Sequence, residues 1–156
     1  ATTIWERLNS YTVENGFGGN NSMNSFNHYS FGAVAAWMYN YSLGIQRDPN
    51  TPGFKHFVLE PTPDPTKEMT FAKGYYDSMY GRISSEWQWE NEGWKYRVTV
   101  PANTTATLKL PIESVNKITL AGKTIKKAKG VRISPMQDPK VVLELTSGSY
   151  QFEIKK

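Results

Sequence analysis

Trp87-Gln88-Trp89-Glu90-Asn91-Glu92-Gly93-Trp94-Lys95-Tyr96-Arg97-Val98-Thr99-Val100 is the stretch that decides the fold. Trp87 and Trp89 alternate with polar residues, Asn91-Glu92-Gly93 supplies turn chemistry, and Trp94, Tyr96, Val98 and Val100 alternate again. Period two on both sides of a turn predicts a β-hairpin with one buried face. On that spacing Trp87, Trp89 and Trp94 are packing residues. A flat row of the same rings on an outer face would instead mark a glycan-binding module.

The pattern extends downstream. Ala106, Leu108 and Leu110 continue it, followed by Ile118 and Leu120 before Ala121-Gly122. A last hairpin is expected to pair Val141, Leu143 and Leu145 with Tyr150, Phe152 and Ile154 across Ser147-Gly148. Strands every eight to twelve residues with turns between them argue for an antiparallel β-sandwich from residue 68 to residue 156.

Upstream the pattern changes. Asp48-Pro49-Asn50-Thr51-Pro52-Gly53 and Pro61-Thr62-Pro63-Asp64-Pro65 bracket a short strand expected at His56 to Glu60. Prolines this dense break helices and sheet ladders, so residues 49–67 read as a linker. Before it, Ser25 is the expected N-cap of a helix running to about Leu43, closed by Gly44. Phe26, Tyr29, Ala33, Trp37 and Tyr41 recur at three- and four-residue spacing, and no charged side chain occurs between Tyr29 and Ile45. A helix apolar nearly all round is normally enclosed, so self-association or docking of this helix is expected.

The opening residues hold the chemistry-bearing groups. Thr2 or Thr3 is placed to cap a short helix, and Thr3 with Glu6 matches the reciprocal capping box, which alone would account for that carboxylate. Residues 9–24, including Gly16-Phe17-Gly18-Gly19, read as a loop. The sequence starts at Ala1 with neither a basic start nor an apolar signal region, and is read as a processed or excised piece.

Charged residues make up 21% and apolar ones 38%, the composition of a folded chain. Residues 1–60 carry Arg7, Arg47 and Lys55 against Glu6, Glu14, Asp48 and Glu60, so the net +4 resides in the second half. Its densest run, Lys123 to Lys129, alternates lysine with small and apolar residues and reads as a solvated sheet edge rather than a nucleic-acid patch. No stretch is long enough for a transmembrane helix, so no membrane partner is expected. With no Cys there is no disulfide framework, thiolate metal site or cysteine nucleophile, and the compartment is not indicated. No cofactor or metal is implied, since His56 has no second ligand at useful spacing.

Ala1-Thr2-Thr3-Ile4-Trp5-Glu6-Arg7, then Met23-Asn24-Ser25-Phe26-Asn27-His28-Tyr29, Phe31-Gly32-Ala33-Val34, Gly44-Ile45 and Pro52-Gly53-Phe54-Lys55-His56, closely resembles the C-terminal end of bacterial α-L-rhamnosidases of glycoside hydrolase family 78. Tyr80-Gly81-Arg82-Ile83-Ser84-Ser85 and Val100-Pro101-Ala102-Asn103-Thr104-Thr105-Ala106 resemble that family's terminal β-sandwich. The resemblance implies an α+β chain. Residues 1–48 would end an (α/α)6 six-hairpin barrel, 49–67 would link, and 68–156 would form the sandwich.

It also implies an inverting glycosidase, which needs an acid and a base about 6.5–9.5 Å apart with water between. By resemblance Glu6 is the general base, His28 belongs to the rhamnose-binding pocket and Trp5 borders it. A helix N-terminus at Glu6 would favour its anion. Structural readings stand beside these: an interior helix histidine for His28 and a core ring for Trp5. The general acid would lie in barrel segments preceding Ala1, so the chain alone is expected to be inactive. The implied partners are rhamnose-containing glycosides or polysaccharides and the N-terminal barrel of the same protein. The alternative is a non-catalytic carbohydrate-binding or structural β-sandwich module.

Overall fold

The computed structural model describes residues 3–17, 21–135 and 139–155. Chain packing divides it into two units, Ala1–Trp37 and Met38–Lys156. Thr2, Gly18 and Gly19, named above as a cap and as loop glycines, lie outside the described residues.

In the first unit no helix forms at residues 3–8, so the expected capping box is absent. Two short α-helical segments follow, α1 (Tyr29–Gly32) and α2 (Val34–Trp37). The residue before α1 is His28, extended at φ −81° and ψ 102°, so the helix begins there rather than at Ser25. Ser25 is occupied otherwise, exchanging hydrogen bonds with Glu6. The helix expected to run unbroken to Leu43 is interrupted at Ala33, whose N–H reaches back three residues to Ser30. Ser30 and Gly32 are weak helix formers, and no oppositely charged pair one turn apart offsets them. Tyr29, Val34 and Trp37 are exposed.

The second unit opens with a π-helical turn, Met38–Ser42, and then builds the sandwich. In chain order its strands are β1 (Ile45–Arg47), β2 (His56–Leu59), β3 (Phe71–Ser78), β4 (Gly81–Glu90), β5 (Gly93–Val100), β6 (Thr105–Leu110), β7 (Ile118–Leu120), β8 (Lys123–Thr124), β9 (Val131–Ile133), β10 (Val141–Leu145) and β11 (Gly148–Lys155). One sheet has the order β1-β2-β6-β10-β9 and the other β3-β4-β5-β11-β7-β8. Pairing is antiparallel except between β2 and β6, which run parallel, from His56 opposite Thr105 to Leu59 opposite Leu108. A parallel pair needs a long crossover. Here β3, β4 and β5 of the opposite sheet fill that crossover.

The alternation read from sequence is the core. Ile83 and Trp87 on β4, Tyr96 and Val98 on β5, Leu108 on β6, Leu143 on β10 and Phe152 on β11 are all buried. Trp87 and Trp94 are buried and Trp89 packs against the core, so the tryptophans form no outer platform. β4 and β5 join through Asn91-Glu92, with Trp89 opposite Trp94. Both short strands around the proline-rich segment, β1 and β2, lie in the five-stranded sheet. Lys123, Lys126 and Lys129 are exposed, on and beside the edge strand β8, as a solvated sheet edge requires.

The last expected hairpin does not form. β10 pairs with β6 and β9, whereas β11 pairs with β5 and β7, so the two strands belong to opposite sheets. Their inward residues face one another across the core and give the same alternation that a hairpin would. The crossing is tied in place: Thr146 donates its N–H to Gly130 O at 3.0 Å, and the Tyr150 hydroxyl donates to Thr146 O at 2.8 Å.

Buried polar groups on β4 receive the chain as it leaves the π-helical turn. The Trp87 indole N–H donates to Ser42 O at 2.7 Å, and the Ser85 hydroxyl donates to Leu43 O at 2.6 Å. Ser85 also lies 3.1 Å from the Tyr96 hydroxyl. Burial pushes that phenol far above its ordinary range, partly offset by the Ser85 bond, so Tyr96 stays neutral. Gly44 then turns the chain at φ +72°, where a Cβ would fall 2.2 Å from Pro61 N. Only glycine accommodates both the angle and that approach.

Trp87→Ala should cost about 3–5 kcal/mol of unfolding free energy, through the cavity and the stranded Ser42 carbonyl, as measured by denaturant titration. A second expectation concerns Asp64. The Met69 N–H, then the Thr66 hydroxyl and N–H, hold its carboxyl below the ordinary value of 3.8. A depressed carboxylate contributes stability above its unfolded pKa and loses it as pH falls through the folded one. Asp64→Ala should therefore lower the melting temperature at neutral pH, and the difference from the parent chain should close below pH 3.8.

Candidate functional site

Within the first unit, residues 3–7 lie alongside residues 24–28. Glu6 N–H donates to Ser25 O at 2.8 Å, and His28 N–H donates to Ile4 O at 2.8 Å. The Thr3 hydroxyl donates to Phe26 O, and Arg7 Nη2 donates to Asn24 Oδ1 at 2.7 Å. Two segments seventeen or more residues apart in sequence are thus joined through backbone and side chain together. This pairing brings Glu6 and His28 into one place.

Glu6 Oε2 accepts the Ser25 N–H at 3.2 Å and lies 4.0 Å from His28 Nδ1. Oε1 makes no hydrogen bond to a described residue. The side chains of Glu6 and His28 keep 17% and 24% of their surface open to solvent. A carboxylate oriented by one oxygen and open at the other can accept a proton from a water molecule or a hydroxyl. Because no helix starts at Glu6, the backbone support for its anion comes from the Ser25 amide rather than from a helix dipole. The carboxylate does meet an amide N–H, as the capping reading required, but that amide belongs to a distant segment.

Trp5 points elsewhere. Its ring meets Phe26 edge-on at 4.8 Å, Phe26 meets Phe17 at 5.7 Å, and Phe17 meets Tyr11 at 5.0 Å. This aromatic cluster fixes the backbone on either side of Glu6 and His28. Trp5 is half-buried within it.

Sequence reasoning left out Ser25 as the amide donor to Glu6, and Arg7 with Asn24 as the clasp beside it. All three lie within the two motifs that carry the family resemblance, but spacing alone does not reveal a contact between segments this far apart. Among the described residues, no group of three His, Asp or Glu side chains is placed to hold a metal ion. None of the described helices is long and apolar enough to cross a membrane.

Comparison with known proteins follows the division of the chain. Residues 44–125 match the model of the bacterial alpha-L-rhamnosidase C-terminal domain, and residues 1–42 match that of the bacterial alpha-L-rhamnosidase 6 hairpin glycosidase domain. An alpha-L-rhamnosidase of Formosa agariphila is 34% identical over 155 residues, covering 99% of this chain and 16% of the relative. The crystal structure of Streptomyces avermitilis alpha-L-rhamnosidase complexed with L-rhamnose superposes with a TM-score of 0.73 at 33% identity, over 99% of this chain and 14% of that one. An alpha-L-rhamnosidase from Dictyoglumus thermophilum gives a TM-score of 0.72 at 28% identity, over 100% and 16%. The chain therefore spans about one sixth of the length of the relatives it matches.

The Glu6–Ser25 bond has a direct readout. In Glu6→Ala the Ser25 amide should exchange its hydrogen about five- to tenfold faster, reflecting a bond worth about 1 kcal/mol, while the His28 amide keeps its protection. Hydrogen exchange followed by NMR at single-amide resolution checks both.

Proposed function

Because the chain belongs to the bacterial alpha-L-rhamnosidase family, we propose that it forms the C-terminal part of an inverting α-L-rhamnosidase. It would supply the end of the barrel and the terminal sandwich. Glu6 is the general base that activates water against the anomeric carbon. His28 binds a hydroxyl of the rhamnose, and Trp5 borders the pocket through the aromatic cluster that sets the position of Glu6. The general acid lies outside this chain, as does most of the pocket. The substrates are rhamnose-containing glycosides or polysaccharides.

The observation that carries this reading is the Glu6 carboxylate itself. One of its oxygens is held by the Ser25 amide beside His28, and the other has no hydrogen-bond partner among the described residues. An inverting base needs that geometry, since one lone pair must remain available to the attacking water. The likeness over 99% of this chain to an enzyme crystallised with L-rhamnose supports the choice of sugar. The buried positions of Trp87 and Trp94 count against a glycan platform built from those rings.

In the longer enzyme that contains this sequence, Glu6→Gln should reduce kcat on an aryl α-L-rhamnoside by about 10²–10⁴-fold, with rhamnose affinity changed little. The 156-residue chain alone should show no hydrolysis. Turnover surviving Glu6→Gln, or hydrolysis by the chain alone, would refute the assignment.

A further inference from the structure

The sandwich unit carries a cleft of about 860 Å³ that none of Trp5, Glu6 and His28 lines. Its size is that of a small-ligand site. Tyr39, Phe54 and Tyr76 form the aromatic side, while Arg47, Glu60 and Lys140 form the charged side. The rings are arranged as a corner. Phe54 and Tyr76 lie 4.6 Å apart at 37°, and Tyr39 stands at 80° to Tyr76 with centroids 6.4 Å apart. Tyr39 and Tyr76 keep 41% and 39% of their surface exposed. Their hydroxyls make no hydrogen bond to a described residue.

The two sides together specify a ligand. An aromatic face against a polar edge suits a pyranose, whose C–H faces are apolar and whose rim carries hydroxyls. Free tyrosine hydroxyls, and the Gln46 carbonyl left over when its amide donates to Asn40 O at 2.9 Å, can meet such a rim. The charges add a sign. Lys140 is paired with Glu60, whereas the guanidinium of the exposed Arg47 makes no hydrogen bond or ion pair to a described residue. Among the described residues the cleft thus presents a guanidinium without a counter-charge, a group whose planar fork matches carboxylate and sulfate oxygens. A cationic ligand would be repelled by that charge, and an apolar peptide would have to desolvate it without recompense.

We propose that this cleft binds a pyranose unit carrying an anionic substituent, a carboxylate or a sulfate ester, and so anchors an acidic glycan on the sandwich. The site needs no catalytic group, so its test is independent of the hydrolytic role given to Glu6.

The 156-residue chain is titrated with methyl β-D-glucuronide, glucose 6-sulfate and neutral methyl β-D-glucoside, by calorimetry and ligand-observed NMR. At least one anionic sugar should bind about tenfold more tightly than the neutral one, and the advantage should shrink as salt is raised. Which anionic arm binds identifies the substituent. Arg47→Gln should abolish the advantage, and Tyr39→Ala should weaken every sugar; both positions are exposed, and an unchanged melting temperature verifies each fold. Equal affinity for charged and neutral sugars, discrimination that survives Arg47→Gln, or no binding at tens of millimolar would each overturn the proposal.

Discussion

The sandwich unit depends on two buried donors on one strand. Trp87 and Ser85 on β4 bind the carbonyls of Ser42, the last residue of the π-helical turn, and of Leu43, which follows it. A buried carbonyl left unpaired costs about 1–3 kcal/mol, so these bonds determine where the turn can end. Leu43 then lies against Gly74 of β3, where a Cβ would fall 2.5 Å from its Cδ1. Gly44 reverses the chain into β1. Helix exit, edge strand and first strand of the opposite sheet are thereby set by one short segment.

Much of this was legible in sequence because period-two alternation reports a local property, which face of a strand is buried. It does not report the partner. Val141, Leu143 and Leu145 opposite Tyr150, Phe152 and Ile154 fit a hairpin and a pair of facing sheets equally well, and the facing arrangement is the one adopted. The difference rests on contacts distant in sequence, such as Thr146 with Gly130 and Ser147 with Thr104. The Ser25 helix start failed for a related reason. A serine before an apolar run can cap a helix or pair with a remote segment, and here the Glu6 segment competes for its N–H and C=O and wins.

The candidate site repeats this lesson with chemical consequences. Glu6 satisfies an amide as a capping carboxylate would, yet the amide lies nineteen residues away in sequence. A capping box would have met a backbone N–H only three residues away. A single cross-segment bond leaves Oε1 without a partner among the described residues. His28 is held by its own backbone N–H on Ile4, so the imidazole is positioned by the same pairing.

The aromatic excess of the chain divides by the same criterion of satisfied polar groups. Trp87 and Trp89 place their indole N–H groups on Ser42 O and Asp64 O, and Tyr96 places its hydroxyl beside Ser85. A ring whose polar handle is met internally gains nothing from an external ligand and belongs to the core. Tyr39 and Tyr76 differ. Their faces are packed at an angle to one another while their hydroxyls meet no described partner, beside a guanidinium that likewise meets no described residue. Period two could separate the buried tryptophans from the surface. It could not find the cleft, because Tyr39 comes from a π-helical turn, Arg47 from β1, Phe54 from a turn before β2 and Tyr76 from β3, and only the folded sandwich gathers them.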